Sequence, residues 1–122
     1  MEKNRHATQK IFLVSYSVRT IEVFERQAEK LVRKYPSLKE ELLELIRTLK
    51  QNPFLGMPLG KNCYKIRLAI KSKGKGKSGG ARIITNIVVS ETTIFLLCIY
   101  DKSNKENLSD KELDELLRDI PE

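Results

Sequence analysis

The apolar residues in the first half of the chain change from a strand pattern to a helix pattern. Residues 10–16 (KIFLVSY) are rich in β-branched and aromatic side chains, which predicts a first strand. From Thr20 to about Tyr35 the apolar positions recur every three or four residues, which predicts a helix with one buried stripe. Thr20 is the expected cap of this helix, and Pro36 ends it.

A second helix is predicted immediately afterwards. Ser37 followed by Glu40 matches a capping box, in which each side chain bonds the backbone amide of the other residue. The pair Asn52-Pro53 ends the pattern. Because the connection between the two helices is so short, we expect an antiparallel helical hairpin. Residues 53–60 (PFLGMPLG) combine turn residues with large apolar ones, so they are expected to form a packed loop.

The second half of the chain is predicted to contain three strands. Residues 63–71 alternate, with one face expected to carry Tyr64, Ile66, Leu68 and Ile70 and the other Lys65, Arg67, Ala69 and Lys71. Residues 72–80 form a loop of glycines and lysines. Residues 81–89 and 93–100 are almost continuously hydrophobic, which predicts two central strands covered on both faces.

A final helix begins at Ser109, where Ser109 and Glu112 form a second capping-box pattern. The predicted order is β-α-α-β-β-β-α, an α+β arrangement. At 122 residues, with 40% hydrophobic residues and no long linker, we expect residues 1–122 to form a single domain. The polar segment 1–9 is expected to be flexible.

Charge adds a candidate function to this outline. The chain has a net charge of +7, and no acid occurs between Leu45 and Ser90. The run from Lys61 to Arg82 contains eight bases: Lys61, Lys65, Arg67, Lys71, Lys73, Lys75, Lys77 and Arg82. A basic surface concentrated on strands and a loop indicates a polyanionic partner, with nucleic acid as the first candidate.

Several kinds of chemistry are excluded by the residues themselves. Gly76-Lys77-Ser78 resembles the end of a P-loop, but the first glycine of that motif is replaced by Lys71 and the loop lies between two strands. The only histidine is His6, and no carboxylates cluster near the basic run, so we expect no metal and no cofactor. RNA cleavage would then be metal-free, with the 2′-hydroxyl of the RNA attacking the adjacent phosphate.

The two cysteines, Cys63 and Cys98, lie in predicted strands without a metal-binding spacing and are expected to be small buried residues. The sequence shows no signal peptide and no long apolar run. We therefore expect a soluble cytoplasmic protein without membrane contact.

Three segments carry a resemblance to a known family. They are YKIRLAIKSKGKGKSGGARIIT (64–85), TIFLLCIYDKS (93–103) and LSDKEL (108–113). With them, the chain from about Lys10 to Leu117 resembles the RelE/ParE superfamily of bacterial type II toxins, and within it the RelE/HigB-like branch. The resemblance implies a RelE-like fold, in which an N-terminal helical hairpin packs on a small, mainly antiparallel sheet.

The resemblance also implies a function. Such a toxin enters the ribosomal A site, cuts mRNA there and is neutralised by a cognate antitoxin, with which it forms a hetero-oligomer. The implied catalytic residues are Arg82, Lys77, Arg67 and Tyr100. The implied contacts to mRNA and ribosomal RNA are Lys65, Lys71, Lys73, Lys75 and Lys102.

Two other functions are compatible with the sequence. The same fold serves ParE-like toxins that inhibit gyrase, although those toxins do not need a cluster of lysine and arginine. The protein could also be a nucleic-acid-binding module without catalytic activity, because basic residues alone do not make an enzyme.

Overall fold

In the part of the chain that the structure describes, five strands form one sheet and three helices pack on it. The computed structural model describes residues 15–74, 76, 79–105 and 107–121, and the expectation about residues 1–9 lies outside this part. The helices are α1 (Glu22–Lys34), α2 (Leu38–Gln51) and α3 (Asp110–Arg118). The strands are β1 (Ser17–Thr20), β2 (Met57–Gly60), β3 (Cys63–Leu68), β4 (Ala81–Val88) and β5 (Thr93–Asp101). This confirms the predicted α+β class.

The sheet has the strand order β1-β5-β4-β3-β2. Among the strands formed by the described residues, β1 and β5 run parallel, and the other neighbours are antiparallel. The strands β4 and β5 are therefore central, as their continuous hydrophobicity predicts. Every residue of β5 is buried, and all but the last residue of β4 are buried as well. Cys63 and Cys98 are free and buried, also as predicted.

The two faces of the sheet carry different layers. One face contains the buried row Ile66, Ile83 and Ile99, in direct register across β3, β4 and β5. Asp101 belongs to this face and receives a hydrogen bond from Tyr35, which follows α1, so the α1–α2 hairpin lies here. The helix α3 lies over the opposite face, where its Leu116 lines a cleft together with Cys98 and Tyr100.

The helix starts correct two predictions. Thr20 belongs to β1 and does not cap α1; Ile21 is the N-cap, and the Thr20 hydroxyl donates to the Glu25 carboxylate at 2.6 Å. The predicted capping box of Ser37 and Glu40 is also absent. Ser37 has helical backbone angles, which aim its hydroxyl at Glu41 instead, at 3.1 Å. The capping box of Ser109 and Glu112 at the start of α3 is confirmed.

The strand bounds correct three more predictions. The first strand was expected at 10–16, of which 10–14 lie outside the described residues; pairing with β5 begins only at Ser17, because the Tyr16 amide donates to Lys50 of α2. Within the predicted loop 53–60, residues 57–60 form β2, which pairs with β3. β3 ends at Leu68, so Ala69 and Lys71 do not continue its alternation, and residues 71–73 form a 3₁₀ turn.

Gly80 lies in close contact with the end of β3, immediately before β4 begins. A Cβ atom at this position would lie 2.1 Å from the carbonyl oxygen of Leu68, which is closer than real Cβ atoms approach. The Gly80 carbonyl also accepts the amide of Lys102 at 3.0 Å. Only glycine allows three segments of backbone to meet here, two residues before Arg82.

We predict that Gly80→Ala lowers the free energy of unfolding by about 3 kcal/mol, because the added carbon forces the backbones of β3 and β4 apart. Urea unfolding followed by circular dichroism measures this loss. Gly60→Ala is the matched control: its Cβ would meet no atom within 4 Å, and its positive φ of 85° costs only about 1 kcal/mol. Equal losses for both variants would contradict the steric account.

Candidate active site

Three of the four predicted catalytic residues stand side by side on the sheet. Arg67 of β3 is directly opposite Arg82 of β4, and Arg82 is directly opposite Tyr100 of β5. Residues in direct register place their side chains on the same face, about 5 Å apart. We call Arg67, Arg82 and Tyr100 the cross-strand row. It lies on the face over which α3 packs.

Arg82 is the central and most enclosed member of the row. Only 3% of its surface is exposed, and one guanidinium nitrogen donates to the carbonyl of Ala81 at 3.1 Å. Burial lowers the pKa of Arg82, and the charge of Arg67 lowers it further. Two neighbouring guanidinium groups that repel each other gain stability when an anion binds between them.

Tyr100 is a neutral phenol in this environment. Burial raises its pKa, and the neighbouring Cys98 raises it further, while the charge of Arg82 acts in the opposite direction. The phenol oxygen is buried and has no hydrogen-bond partner among the described residues. A protonated, unpaired phenol is suited to donate a hydrogen bond or a proton rather than to accept one.

The helix α3 covers the Tyr100 end of the row, and two ion pairs connect its first half to the surrounding structure. Glu112 in its first turn pairs with Lys105 at 2.6 Å, and Asp114 pairs with Lys61, which precedes β3. The hydrogen bond from Lys105, together with that from the Ser109 amide, lowers the pKa of Glu112 to about 2. Between α3, α1 and β5 remains a cleft of about 310 Å³ beside Tyr100.

A buried ion pair fixes the base of the glycine-lysine loop to the end of β5. The Lys73 ammonium contacts the Asp101 carboxylate, with 8% and 2% of the two side chains exposed. Asp101 also accepts hydrogen bonds from the Tyr35 hydroxyl and the Ser103 amide, both at 2.9 Å. Burial alone would raise the pKa of Asp101, but the bonds from Lys73, Ser103 and Tyr35 outweigh it and bring the pKa to about 2.

A comparison of the whole sequence with known families shows which family the chain belongs to. Residues 6–120 match the family described as the RelE toxin of the RelE/RelB toxin–antitoxin system. The chain belongs to the RelE toxin family. Because the match spans almost the whole chain, both the helical hairpin and the strands of the cross-strand row fall within it.

Solved structures agree with the RelE fold. A free Escherichia coli RelE toxin carrying two arginine-to-alanine substitutions superposes with a TM-score of 0.55 at 19% identity, covering 88% of this chain and 99% of that one. The RelBE2 toxin–antitoxin complex of Mycobacterium tuberculosis gives a TM-score of 0.55 at 21% identity, covering 73% of this chain and 93% of that one. At such identities the likeness supports the fold alone.

The remaining predicted site residues of this RelE-family protein are distributed around the row. Lys65 lies two residues from Arg67 on the same face of β3 and is partly buried. Lys71 is exposed in the 3₁₀ turn, and Lys102 lies just beyond β5, where its amide donates to Gly80. The predictions for Lys75 and Lys77 lie outside the described residues.

Sequence reasoning missed the structural role of Lys73. It was predicted to bind RNA, but its ammonium is occupied by Asp101 and by the Ser103 hydroxyl at 2.6 Å. Ser72 next to it pairs with Ser37 at the start of α2, hydroxyl to hydroxyl at 2.9 Å. These contacts attach the loop to the helical hairpin. They join residues 28 or more positions apart, and no local motif marks them.

The described residues contain neither a metal-binding cluster nor a membrane-spanning helix. Across residues 15–74, 76, 79–105 and 107–121, three or more histidine, cysteine or acidic side chains never converge into a group that could hold a metal ion. In the same ranges no helix is long and apolar enough to cross a membrane.

We predict that Asp101→Asn lowers the free energy of unfolding by about 2 kcal/mol at pH 7, because asparagine mimics the protonated carboxyl and leaves Lys73 without its counter-charge. The folded pKa of about 2 lies below the ordinary value of 3.8, so this stability is complete above pH 4 and is lost as the pH falls towards 2. Urea unfolding of the natural protein and of Asp101→Asn between pH 7 and pH 2 should show the difference in unfolding free energy disappear as the pH falls.

Asp114→Asn is the control, because its pair with Lys61 is half exposed and solvent-screened and is therefore expected to contribute much less to stability. Two results would contradict the proposed stabilisation by the buried ion pair. One is an equal loss of unfolding free energy for Asp101→Asn and Asp114→Asn at pH 7. The other is a difference between Asp101→Asn and the natural protein that persists at pH 2.

Proposed function

We propose that this RelE-family toxin is a ribosome-dependent endoribonuclease that cuts mRNA in the ribosomal A site. The observation that carries the proposal is the cross-strand row. It holds two guanidinium groups and a protonated phenol on one face of a rigid sheet. Such an arrangement is suited to bind a phosphodiester and to stabilise the extra negative charge of a five-coordinate phosphorus.

The reaction uses the 2′-hydroxyl of the RNA as the nucleophile. Its oxygen forms a bond to the adjacent phosphorus while the bond from phosphorus to the 5′-oxygen breaks. The proton of the 2′-hydroxyl passes to solvent, and the departing 5′-oxygen takes a proton, for which Tyr100 is the candidate donor. The products are a 2′,3′-cyclic phosphate and a 5′-hydroxyl, so no co-reactant is consumed.

The roles within the row follow from exposure. Arg67 is exposed and makes the first contact with the phosphate, whereas the buried Arg82 contacts its inner oxygen. The phenol of Tyr100 is buried beneath α3, so proton donation requires α3 to shift away from β5. Lys65, Lys71 and Lys102 contribute positive charge for the flanking phosphates of mRNA and ribosomal RNA.

The proposed dependence on the ribosome has a chemical reason. The row supplies positive charge and a proton donor, but it supplies no base for the 2′-hydroxyl and does not by itself bring the 2′-oxygen of a flexible RNA strand into line with the bond that breaks. In the A site, the ribosome holds the mRNA so that the 2′-oxygen is aligned with the bond that breaks. Such alignment is worth several orders of magnitude in rate.

A cognate antitoxin is the proposed partner. The matching family is described as part of a toxin–antitoxin system, and a similar fold was solved in the RelBE2 toxin–antitoxin complex. We propose that the antitoxin covers the basic face in a hetero-oligomer in the cytoplasm. Its acidic side chains would neutralise the row and keep RNA away from it.

We predict that Arg82→Ala reduces mRNA cleavage on ribosomes by about 100-fold or more, because it removes a fixed charge from the transition state. Primer extension on mRNA bound to purified ribosomes measures the cut. In growing bacteria, methionine incorporation should fall first after induction of the natural protein and stay normal with the variant.

Two variants keep this test clear. Arg67→Ala changes an exposed member of the row without opening the core, and it should lose cleavage in the same way. Arg26→Ala, an exposed arginine of α1 paired with Glu22, should cleave normally. Circular dichroism verifies that all variants fold. If thymidine incorporation falls first, the gyrase-inhibiting alternative replaces the proposal; if neither falls, the non-catalytic binding module does.

A further inference from the structure

A second cross-strand row extends the candidate active face to the edge of the sheet. Met57 of β2 is directly opposite Lys65 of β3, and Lys65 is directly opposite Ile84 of β4. Lys65 and Arg67 are two residues apart on one strand, so they share a face. Direct register therefore places the Met57 side chain on the same face as Arg67, Arg82 and Tyr100. It is 49% exposed and is therefore accessible to a ligand on this face.

Met57 borders a cleft that opens next to Arg67. The cleft has a volume of about 350 Å³ and is lined by Leu55, Gly56, Met57, Lys65, Ile66 and Arg67. Its walls combine two cations with apolar surface, and no acid is among the described residues that line it. This volume is within the range of small-ligand sites.

Gly56 makes one wall of this cleft flat. Its φ is +105°, and a Cβ atom there would lie 2.6 Å from the carbonyl oxygen of Lys65 and 2.9 Å from Ile66. The backbone of residue 56 therefore lies directly against β3. This contact fixes where β2 begins and, with it, the position of Met57 beside Lys65.

Charge selects this cleft over its neighbour for a polyanion. Arg67 also lines a larger cleft of about 500 Å³ between β3 and α2, but Glu40, Glu41 and Glu44 line it as well. Phosphate groups would be repelled by these three carboxylates. Of these two clefts, the one beside Lys65 and Met57 is therefore the more favourable for an RNA strand held by Arg82 and Arg67.

We propose that Met57 and the cleft beside it form a subsite for the nucleobase adjacent to the phosphate that Arg67 and Arg82 hold. This inference rests on the proposed ribonuclease function. The Met57 side chain packs against the face of the base, and Lys65 contacts the next phosphate. A thioether is polarisable and makes favourable contacts with aromatic rings, and every base offers such a ring. The subsite fixes the base, and through it the ribose whose 2′-hydroxyl attacks.

The first test measures cleavage of ribosome-bound mRNA by Met57→Ala. We expect about a tenfold loss in kcat/KM, found mainly in KM, because a contact to the base is already made before the reaction. Met57→Leu keeps the apolar surface and should stay within about twofold of the natural protein. Val89→Ala is the control, because Val89 is an exposed apolar residue (56%) at the turn between β4 and β5, far from the row.

The second test identifies what Met57 touches. Messages carry a single abasic ribonucleotide at each position of the A-site codon in turn, which removes the base and keeps the 2′-hydroxyl. At one position the abasic message should be cut about tenfold less by the natural protein, and Met57→Ala should cause no further loss on it. The subsite would be overturned if the loss from the abasic nucleotide and the loss from Met57→Ala multiplied at every codon position. It would also be overturned if Met57→Ala were as active as the natural protein.

Failure of this inference is distinguishable from failure of the proposed function. If the natural protein cuts unmodified mRNA and Met57→Ala cuts it equally well, only the subsite is wrong. If the natural protein does not cut mRNA on ribosomes at all, the ribonuclease function itself is wrong and the subsite falls with it.

Discussion

The antiparallel register of β3, β4 and β5 is the constraint on which the candidate active site depends. It places Arg67, Arg82 and Tyr100 in one row, and Met57 and Lys65 in the next. Because side chains alternate between faces, a shift of one residue would move the row to the face of the helical hairpin. The apolar row Ile66, Ile83 and Ile99, which is buried on that other face, stabilises this register.

Some charged residues of the molecule stabilise the fold, and others are assigned to the candidate site. Asp101 neutralises Lys73 and thereby holds the base of the glycine-lysine loop against β5. Arg67 and Arg82 instead lie next to each other, and burial lowers the pKa of Arg82 at a cost in stability. Proteins keep such unfavourable arrangements of charge mainly at functional sites. Under the proposed function, binding of a phosphate relieves the repulsion between the two guanidinium groups, and this relief favours binding of the anion.

Most of the fold could be predicted from the sequence, because hydrophobic periodicity and the length of each element are local properties. The central strands, both long helices and the Ser109–Glu112 capping box follow from such patterns. The failures at Thr20 and Ser37 have a common cause, because both residues have partners from distant parts of the chain. Thr20 pairs with Leu96 in the sheet, and the Ser37 hydroxyl bonds with that of Ser72. Arg67, Arg82 and Tyr100 were each predicted as site residues, but their arrangement in one row was not. Cross-strand register depends on pairing between distant residues, which local patterns do not reveal. The pairing of Lys73 with Asp101 and the place of Met57 were missed for the same reason.

The most direct test of the central claim uses purified ribosomes with an empty A site and mRNA in which one nucleotide of the A-site codon lacks its 2′-hydroxyl. We predict that the protein cuts the unmodified message to leave a 2′,3′-cyclic phosphate, and that cleavage after the 2′-deoxy nucleotide is abolished. Equal cleavage of both messages would show that the 2′-hydroxyl is not the nucleophile, and it would contradict the proposed role of the cross-strand row.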